Sequence, residues 1–552
     1  MTPPLRARML AQLRFQRFDV LIVGGGIVGA GIARDAAMRG LKVALIDQGD
    51  FAGGTSSKTS KLVHGGLRYL EHGHLALVFE SLRERHILRT IAPEFVHPLS
   101  LMIPVYAGDD RPGWTIRVGL WLYDLLAAQH RIRPHRIVSS RRALELEPGL
   151  RVDGLQLAGL YADCQMDDAR VCLANVLQAI GFGAVCGNYV RLDAFVTSNG
   201  RICGASAEDV FTGSPFDIQA DVVVNATGPW SDAVRRLADR NAAERLAPTK
   251  GIHLILPRIA REAFFIQARA DRRMIFLLPW GEEYSLVGTT ESPVDGALES
   301  LSATEEEVGY LLEEVNRILP GAHVDAGDVI ATYAGARPLL AFAGSSTSAS
   351  REHRIEVDDT GLISVLGGKF TTYRRMAQQV VDVVAARTRR AADRCLTDQV
   401  SLLEIVHPVA LDHWREVSRT VDPDLLARLL TRYGAGAFHI LRLIAQEPSL
   451  AQPVCPHHEC IAAELVHALE QELACTITDV LARRTRIAWS SCQGLDFLST
   501  LTDLFQRYGG VSRAQVDQQV EAYQQFLLKG LAFRPALALQ RHVLSDPSDD
   551  GE

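Results

Sequence analysis

The sequence predicts an α/β chain: a nucleotide-binding strand–helix–strand unit at the front, an antiparallel sheet behind it, and a mainly helical region at the end. Three observations carry this. Phe18 to Asp47 reads as strand, glycine turn, helix and second strand ending in an acid. Short strands with turn signals between them follow at Ile252 to Leu256, Met274 to Leu278 and Ser285 to Thr290, the pattern of an antiparallel sheet. Beyond about residue 390 the strand signals fade and apolar residues recur at helical spacing.

In the first unit, Gly24-x-Gly26-x-x-Gly29 follows the apolar run Val20 to Val23. Ile32, Ala33, Ala36 and Ala37 recur at helical spacing, Gly40 ends the helix, and Lys42 to Ile46 forms the next strand. Gly24 permits the tight turn, Gly26 lets a pyrophosphate approach the backbone, and Gly29 lets helix pack on strand. The helix N-terminus offers N–H groups and positive dipole to that pyrophosphate. Asp47 stands where a ribose hydroxyl would be bound. Strand, helix, second strand and terminal acid together predict an adenine dinucleotide as ligand.

Further along, Asp221 to Asn225 is a β-branched strand running into Ala226-Thr227-Gly228, and Leu362 to Leu366 is another, followed by Gly367-Gly368 and a helix from near Thr371. Ser302 to Leu319 reads as a helix with acids near its start and Pro320 just past its end. The tract 341–350 is a surface loop by composition. Asp422-Pro423 supplies an N-cap and a proline at the first helical position, after which Leu425, Leu426, Leu429 and Leu430 trace one face. Ile461 to Leu473 and Val516 to Leu528 repeat that pattern. The division is therefore a tail over 1–17, a core over 18–390 and a helical domain over 391–552. The tail is expected to be a disordered lead-in.

Composition bounds the rest. At 552 residues, 47% hydrophobic and 22% charged, the chain has the make-up of a soluble protein with several domain-sized units. A net charge of −7 argues against a nucleic-acid partner. Nine cysteines without a CxxC suit thiols in a reducing compartment. No apolar run approaches the roughly 20 residues needed to span a bilayer. Arg6, Arg8, Arg14 and Arg17 interrupt any signal-peptide core.

Two further segments join the fingerprint in the pattern of a flavin site. One is Gly53 to Lys61, rich in glycine, hydroxyl and base, leading into His64-Gly65-Gly66-Leu67-Arg68-Tyr69-Leu70. The other is Leu362 to Arg374, again strand, glycines and helix, whose helix N-terminus would stabilise negative charge on a reduced flavin.

On these segments the chain resembles the FAD-dependent, respiratory, quinone-linked glycerol-3-phosphate dehydrogenases over nearly all of residues 18–390. The matching stretches are GGGIVGAGIARDAAMRG (24–40), TSSKTSKLVHGGLRYLE (55–71), ADCQMDDAR (162–170), NATGPW (225–230), KGIHLILP (250–257), PWGEEYSLVGTT (279–290), YAGARPL (333–339) and LGGKFTTYR (366–374). After 390 the likeness is looser, best at Ala482 to Thr485. Val28 departs from the pattern, where an Asn is expected. The resemblance implies an FAD-binding Rossmann-like domain interwoven with an antiparallel-sheet substrate domain. It also implies oxidation of sn-glycerol 3-phosphate to dihydroxyacetone phosphate, with electrons passed through FAD to membrane quinone. Peripheral association with the inner face of the cytoplasmic membrane and a cytoplasmic location follow on a bacterial reading, and a homodimer is admitted. An oxidase giving electrons to O2, or a non-catalytic flavin-binding regulatory protein, is the alternative.

The residues assigned to this chemistry are specific. Non-covalent FAD is expected on Gly24, Gly26, Gly29, Asp47, Thr55, Ser56, Ser57, Ser60, Lys61, His64, Thr227, Gly228, Gly368, Lys369 and Thr371. Arg68, Arg337 and Lys369 are the cations for a phosphorylated substrate, because a guanidinium fork matches phosphate oxygens. His253, in an otherwise apolar strand, is the first candidate to take the hydroxyl proton, and His64 the second. Tyr69 is a candidate substrate contact. Residues 111–136 crowd Trp114, Leu120, Trp121, Leu125 and their neighbours between arginines, which suits either a membrane surface or a core helix with a basic loop. The segment Cys455-Pro-His-His-Glu-Cys460 has metal-ligand residue types, but its spacing is compressed and no second cluster lies at zinc-finger distance. No metal is expected, and the scattered cysteines argue against an iron–sulfur centre.

Overall fold

The computed structural model describes residues 5–341, 353–388, 391–403 and 421–534. Two sheets divide the first 370 residues. The first has eight strands, with the fingerprint strand Arg17–Val23 in its middle. It pairs in parallel with Val43–Ile46 on one side and Ser214–Asn225 on the other, and the latter pairs in parallel with Ile363–Gly367. The strands ahead of the fingerprint turn, of Ala226-Thr227-Gly228 and of Gly367-Gly368 are thus immediate neighbours, and their carboxyl ends open on one side. That is where ligands bind in such sheets.

Helices Ile27–Met38, Asp168–Gly181 and Tyr373–Arg387 pack together beside this sheet. Gly24 fixes how close the first lies. Its φ is +106°, and a Cβ on Gly29 would stand 1.8 Å from the Gly24 carbonyl oxygen. Only glycine at both positions lets the helix start directly on the strand end.

The second sheet has ten strands. Toward one edge Thr249–Pro257 pairs antiparallel with Ala331–Arg337 and with Tyr284–Gly288. The chain crosses between the two sheets repeatedly, so neither is a contiguous stretch of sequence. The helix expected over 302–319 spans Glu305–Ile318, with the Thr304 hydroxyl and Glu307 carboxylate closing a capping box. The loop expected at 341–350 lies, apart from Ala341, outside the described residues.

Residues 421–527 have their own apolar core, built mainly from helices Pro423–Tyr433, Ala437–Gln446, Ala462–Gln471, Leu498–Tyr508 and Arg513–Gly530. Asp422 caps the first of them by accepting from Asp424 N at 2.9 Å and Leu425 N at 3.2 Å. One expectation fails at the other end of the chain. Leu5–Phe15 is a helix, not a disordered lead-in, because Leu5, Met9 and Leu13 recur every fourth residue and bury against the first sheet. Arg6 then closes on Asp209 at 2.6 Å.

The helical domain is tied to the first sheet through a buried carboxylate. Asp50, three residues beyond Asp47, receives Arg483 Nε at 2.5 Å and Arg484 Nη2 at 2.9 Å. Asn188 bridges Asp50 to the Leu473 carbonyl. Burial alone would raise the Asp50 carboxyl, but the two guanidiniums bring it below the usual aspartate range. Asp50→Asn would leave the buried Arg484 guanidinium short of a counter-charge, while Arg483 keeps Asp479, and breaking a buried pair costs about 3–5 kcal/mol. The variant is expected to show an earlier unfolding transition of the helical domain in calorimetry; an unchanged transition would show that the domain is held otherwise.

Candidate functional site

A cavity of about 770 Å³ runs from the fingerprint turn, across the carboxyl ends of the parallel strands, to strands Thr249–Pro257 and Ala331–Arg337 of the second sheet. Its size lies toward the top of the range for small-molecule and cofactor sites. At the fingerprint end Gly26 and Asp47 line it. The Asp47 carboxylate accepts from Gly25 N at 2.6 Å and Gly49 N at 2.8 Å, and burial pushes its carboxyl up to about 6 against those bonds. Ser56 Oγ accepts from Ile27 N, the first N–H of the helix, at 2.9 Å, so the loop after Gly53 is pinned over the helix start. A Cβ on Gly26 would meet only Ser56 Oγ, at 3.1 Å. The position is therefore open toward the cavity, as close approach of a pyrophosphate requires. Val28 also lines this end.

At the far end the second sheet presents two side chains, and glycine makes room for each. His253 pairs across the strands with Gly288, where a Cβ would stand 2.2 Å from its ring. Arg337 pairs with Thr249 and leans over Gly251, where a Cβ would stand 2.4 Å from its guanidinium. The imidazole stacks on Tyr333 with centroids 4.9 Å apart, and its Nε2 lies 2.8 Å from Ser60 Oγ. Burial first, then the charges of Arg337 and Lys61, hold His253 well below the usual histidine range, so the ring is neutral at physiological pH. Arg337 donates from Nη2 to Thr289 Oγ1 at 2.9 Å and to the Thr290 carbonyl at 3.1 Å, which fixes the plane of its guanidinium.

Lys369 closes the same region from the first sheet. Its Nζ donates to the His64 carbonyl at 2.6 Å and sits 5.3 Å from the Tyr69 ring centroid. Thr55, Ser56, Ser60, His64, Thr227, Gly228, Gly368 and Thr371 line the cavity with them. The remaining candidates sit elsewhere. Lys61 is buried, donating to the Ser57 carbonyl and to Asp168 at 2.6 Å each, so Ser57 and Lys61 clamp the loop beneath the cavity wall. Gly29 packs helix on strand, the role its position predicts. Arg68 lines a smaller neighbouring cavity of about 80 Å³.

Sequence reasoning passed over several lining residues. Lys58 lines the cavity, its ammonium pushed down to about 8 by burial and by Lys529 and Arg483. It lies in the glycine–hydroxyl–base loop, so the signal was present. Gly251, Gly288 and Gly335 carry no sequence signal, because their function appears only when strands pair.

The donor set fits FAD. A helix N-terminus, a glycine without Cβ hindrance and a strand-end carboxylate stand in the order that pyrophosphate and ribose require, and a second strand–glycine–helix junction faces the opposite end. Residues 19–382 match the family described as FAD dependent oxidoreductase, and residues 395–516 match the C-terminal domain of alpha-glycerophosphate oxidase. The chain is 35% identical over 543 residues to the glycerol-3-phosphate dehydrogenase of Synechocystis sp., covering 94% of this chain and 98% of that one. It is 33% identical to the mitochondrial glycerol-3-phosphate dehydrogenase of Homo sapiens, covering 96% and 76%. Among solved structures, the glycerol-3-phosphate dehydrogenase from Bacillus halodurans complexed with FAD superposes with a TM-score of 0.72 at 28% identity, covering all of both chains.

Gly26→Val would push two methyl groups into the cavity while leaving the Gly24–Gly29 contact intact. The purified variant is expected to be folded and largely flavin-free by absorbance; a full flavin complement would contradict this placement of the pyrophosphate.

Proposed function

The chain belongs to the FAD-dependent glycerol-3-phosphate dehydrogenase family, and from that premise we propose that it oxidises sn-glycerol 3-phosphate to dihydroxyacetone phosphate and passes the electrons to membrane quinone. One observation carries the reading: a neutral histidine and an anchored guanidinium face the same cavity from neighbouring strands, each in space that a glycine vacates. FAD, when bound, supplies the hydride acceptor for the carbinol carbon. The protein supplies the rest. His253 takes the hydroxyl proton, which a neutral imidazole accepts and an imidazolium does not. Entry of a phosphate dianion beside it raises the basicity that Arg337 and Lys61 otherwise suppress. Arg337 grips the phosphate in a bidentate way, with Lys369 as a second cation, and Tyr69 stands beside Lys369 to border the substrate. Arg68 lines the small cavity instead, which leaves the phosphate to Arg337 and Lys369.

Delivery of electrons to quinone requires the protein to sit on the membrane. Among the described residues no helix is long and apolar enough to cross one. The segment expected at 111–136 forms helix Gly113–Ala127, which buries Leu120, Tyr123 and Ala127 and turns Trp114, Val118, Trp121 and Leu125 outward. Those four recur at helical spacing, and the two tryptophans are 67% and 59% exposed. Leu75 and Phe79 of the adjacent helix Leu75–Ile91 extend the patch, and Arg117, Arg133 and Arg136 are exposed around it. An apolar ridge with a basic surround suits peripheral insertion at an anionic surface, on the inner face of the cytoplasmic membrane in a bacterium.

Replacing Trp114 and Trp121 together by Glu is expected to abolish co-sedimentation with anionic vesicles while leaving activity with a soluble dye intact. Undiminished vesicle binding would move the membrane contact elsewhere.

The phosphate assignment has its own test. Arg337→Lys keeps the charge and loses the paired donors, so the loss of a charge-assisted bond, about 1.5–3 kcal/mol, lowers kcat/KM for glycerol 3-phosphate roughly ten- to a hundredfold. FAD content stays normal, and glycerol, lacking the phosphate, is equally poor with both proteins. An unchanged ratio of kcat/KM for glycerol 3-phosphate over glycerol would remove Arg337 from the phosphate site. Stoichiometric peroxide during turnover would replace quinone by O2 as acceptor.

A further inference from the structure

The compressed run Cys455 to Cys460 argues against a metal because it brings no second cluster, yet folding brings one. Cys492 arrives from 32 residues beyond Cys460 in the chain, in the loop after Trp489. The ligand atoms of Cys455, His458 and Cys492 lie within 4.8 Å of one another, with His458 Nε2 3.3 Å from Cys492 Sγ. Tetrahedral zinc with thiolate and imidazole ligands holds them about 3.3–3.8 Å apart, so closure of roughly one ångström completes the triangle. The Asp496 carboxylate is in hydrogen-bond range of the Cys455 thiol, just outside the close cluster of the other three, and is the nearby carboxylate that could close on an ion as a fourth ligand.

Backbone N–H groups reach both sulfurs. Gly494 N donates to Cys492 Sγ at 3.4 Å, and the backbone N–H of His457 donates to the Cys455 sulfur. In both cases the donor is the residue two beyond the cysteine. Such N–H bonds stabilise negative sulfur and orient it, the second-shell support that metal-bound thiolates use. The two loops are themselves fixed. Val454 N donates to the Cys460 carbonyl at 2.9 Å, closing the turn that carries Cys455 and His458, and Leu495 N donates to the Cys492 carbonyl at 2.9 Å.

We propose that Cys455, His458, Cys492 and Asp496 form a structural zinc site in the helical domain. Soft thiolates with one imidazole and one carboxylate select a borderline-soft divalent ion over magnesium or calcium. Each thiol gives its proton to solvent as the ion binds. The site staples the 452–460 turn to the loop that carries Trp489, whose ring meets Tyr333 at 5.6 Å, with Tyr333 in turn stacked on His253. Its place is therefore in the wall behind the catalytic histidine, with three ligands already clustered and Asp496 the nearby carboxylate for the fourth position.

The test is elemental analysis of the full-length holoenzyme purified without chelator. About one equivalent of zinc is expected, falling below about 0.2 in Cys492→Ala and in Cys455→Ala. Cys460→Ala, whose sulfur faces the Ile461 carbonyl and Glu464 rather than the cluster, is expected to keep its zinc. Should the ligand variants fail to fold, chelator-stripped wild-type protein given Co²⁺ is expected to develop a thiolate charge-transfer band. Absence of both zinc and that band, full zinc in soluble Cys492→Ala, or a Cys455–Cys492 disulfide in peptide mass mapping would each overturn the proposal.

Discussion

The contact between the Gly24 carbonyl and the Cα of Gly29 is the constraint on which this molecule is arranged. It brings the first helix down onto its strand with no space for a methyl group between them, so the helix must begin at the strand end and aim its N-terminus across the sheet. The strands that pair on either side then inherit a common edge. Val43–Ile46 delivers Asp47 to it, Ser214–Asn225 delivers Thr227 and Gly228, and Ile363–Gly367 delivers Lys369 and Thr371. Segments hundreds of residues apart become lining of one cavity because parallel strands put their carboxyl ends on one side.

The second sheet positions His253 and Arg337 by the opposite device. Antiparallel pairing alternates side chains between faces, and on the cavity face it sets a glycine opposite or beside each functional group. The imidazole of His253 occupies the space over Gly288, and the guanidinium of Arg337 that over Gly251. The imidazole is held by shape and by its contact with Ser60, and the guanidinium by shape and by its hydrogen bonds to Thr289 and Thr290. Charges with structural duty are treated differently. Lys61 is clamped by Asp168, and Arg483 and Arg484 by Asp50, all buried.

Much of this was legible in the sequence where local chemistry decides the outcome. The fingerprint, the three motif strands and the Asp422 cap each follow from neighbours within a few residues. Three residues that motifs mark, His253, Arg337 and Lys369, line the cavity, and Tyr69 lies beside Lys369. What escaped depends on pairing at long range. Gly251 and Gly288 acquire meaning only from the strand beside them, and Asp50 only from two arginines more than 400 residues away. The N-terminal helix escaped for another reason: its arginines mask a sparse stripe of Leu5, Met9 and Leu13 that suffices because Arg6 also finds a buried partner. Composition left residues 111–136 open between core and surface, and the fold decides by turning the tryptophans outward.

The central claim is that this cavity carries electrons from glycerol 3-phosphate to FAD. Anaerobic addition of sn-glycerol 3-phosphate to the purified holoenzyme tests it most directly. The account predicts loss of the oxidised flavin's visible absorbance, saturating with substrate and reversed by a quinone analogue. A full complement of flavin whose spectrum stays unchanged at saturating substrate would contradict it.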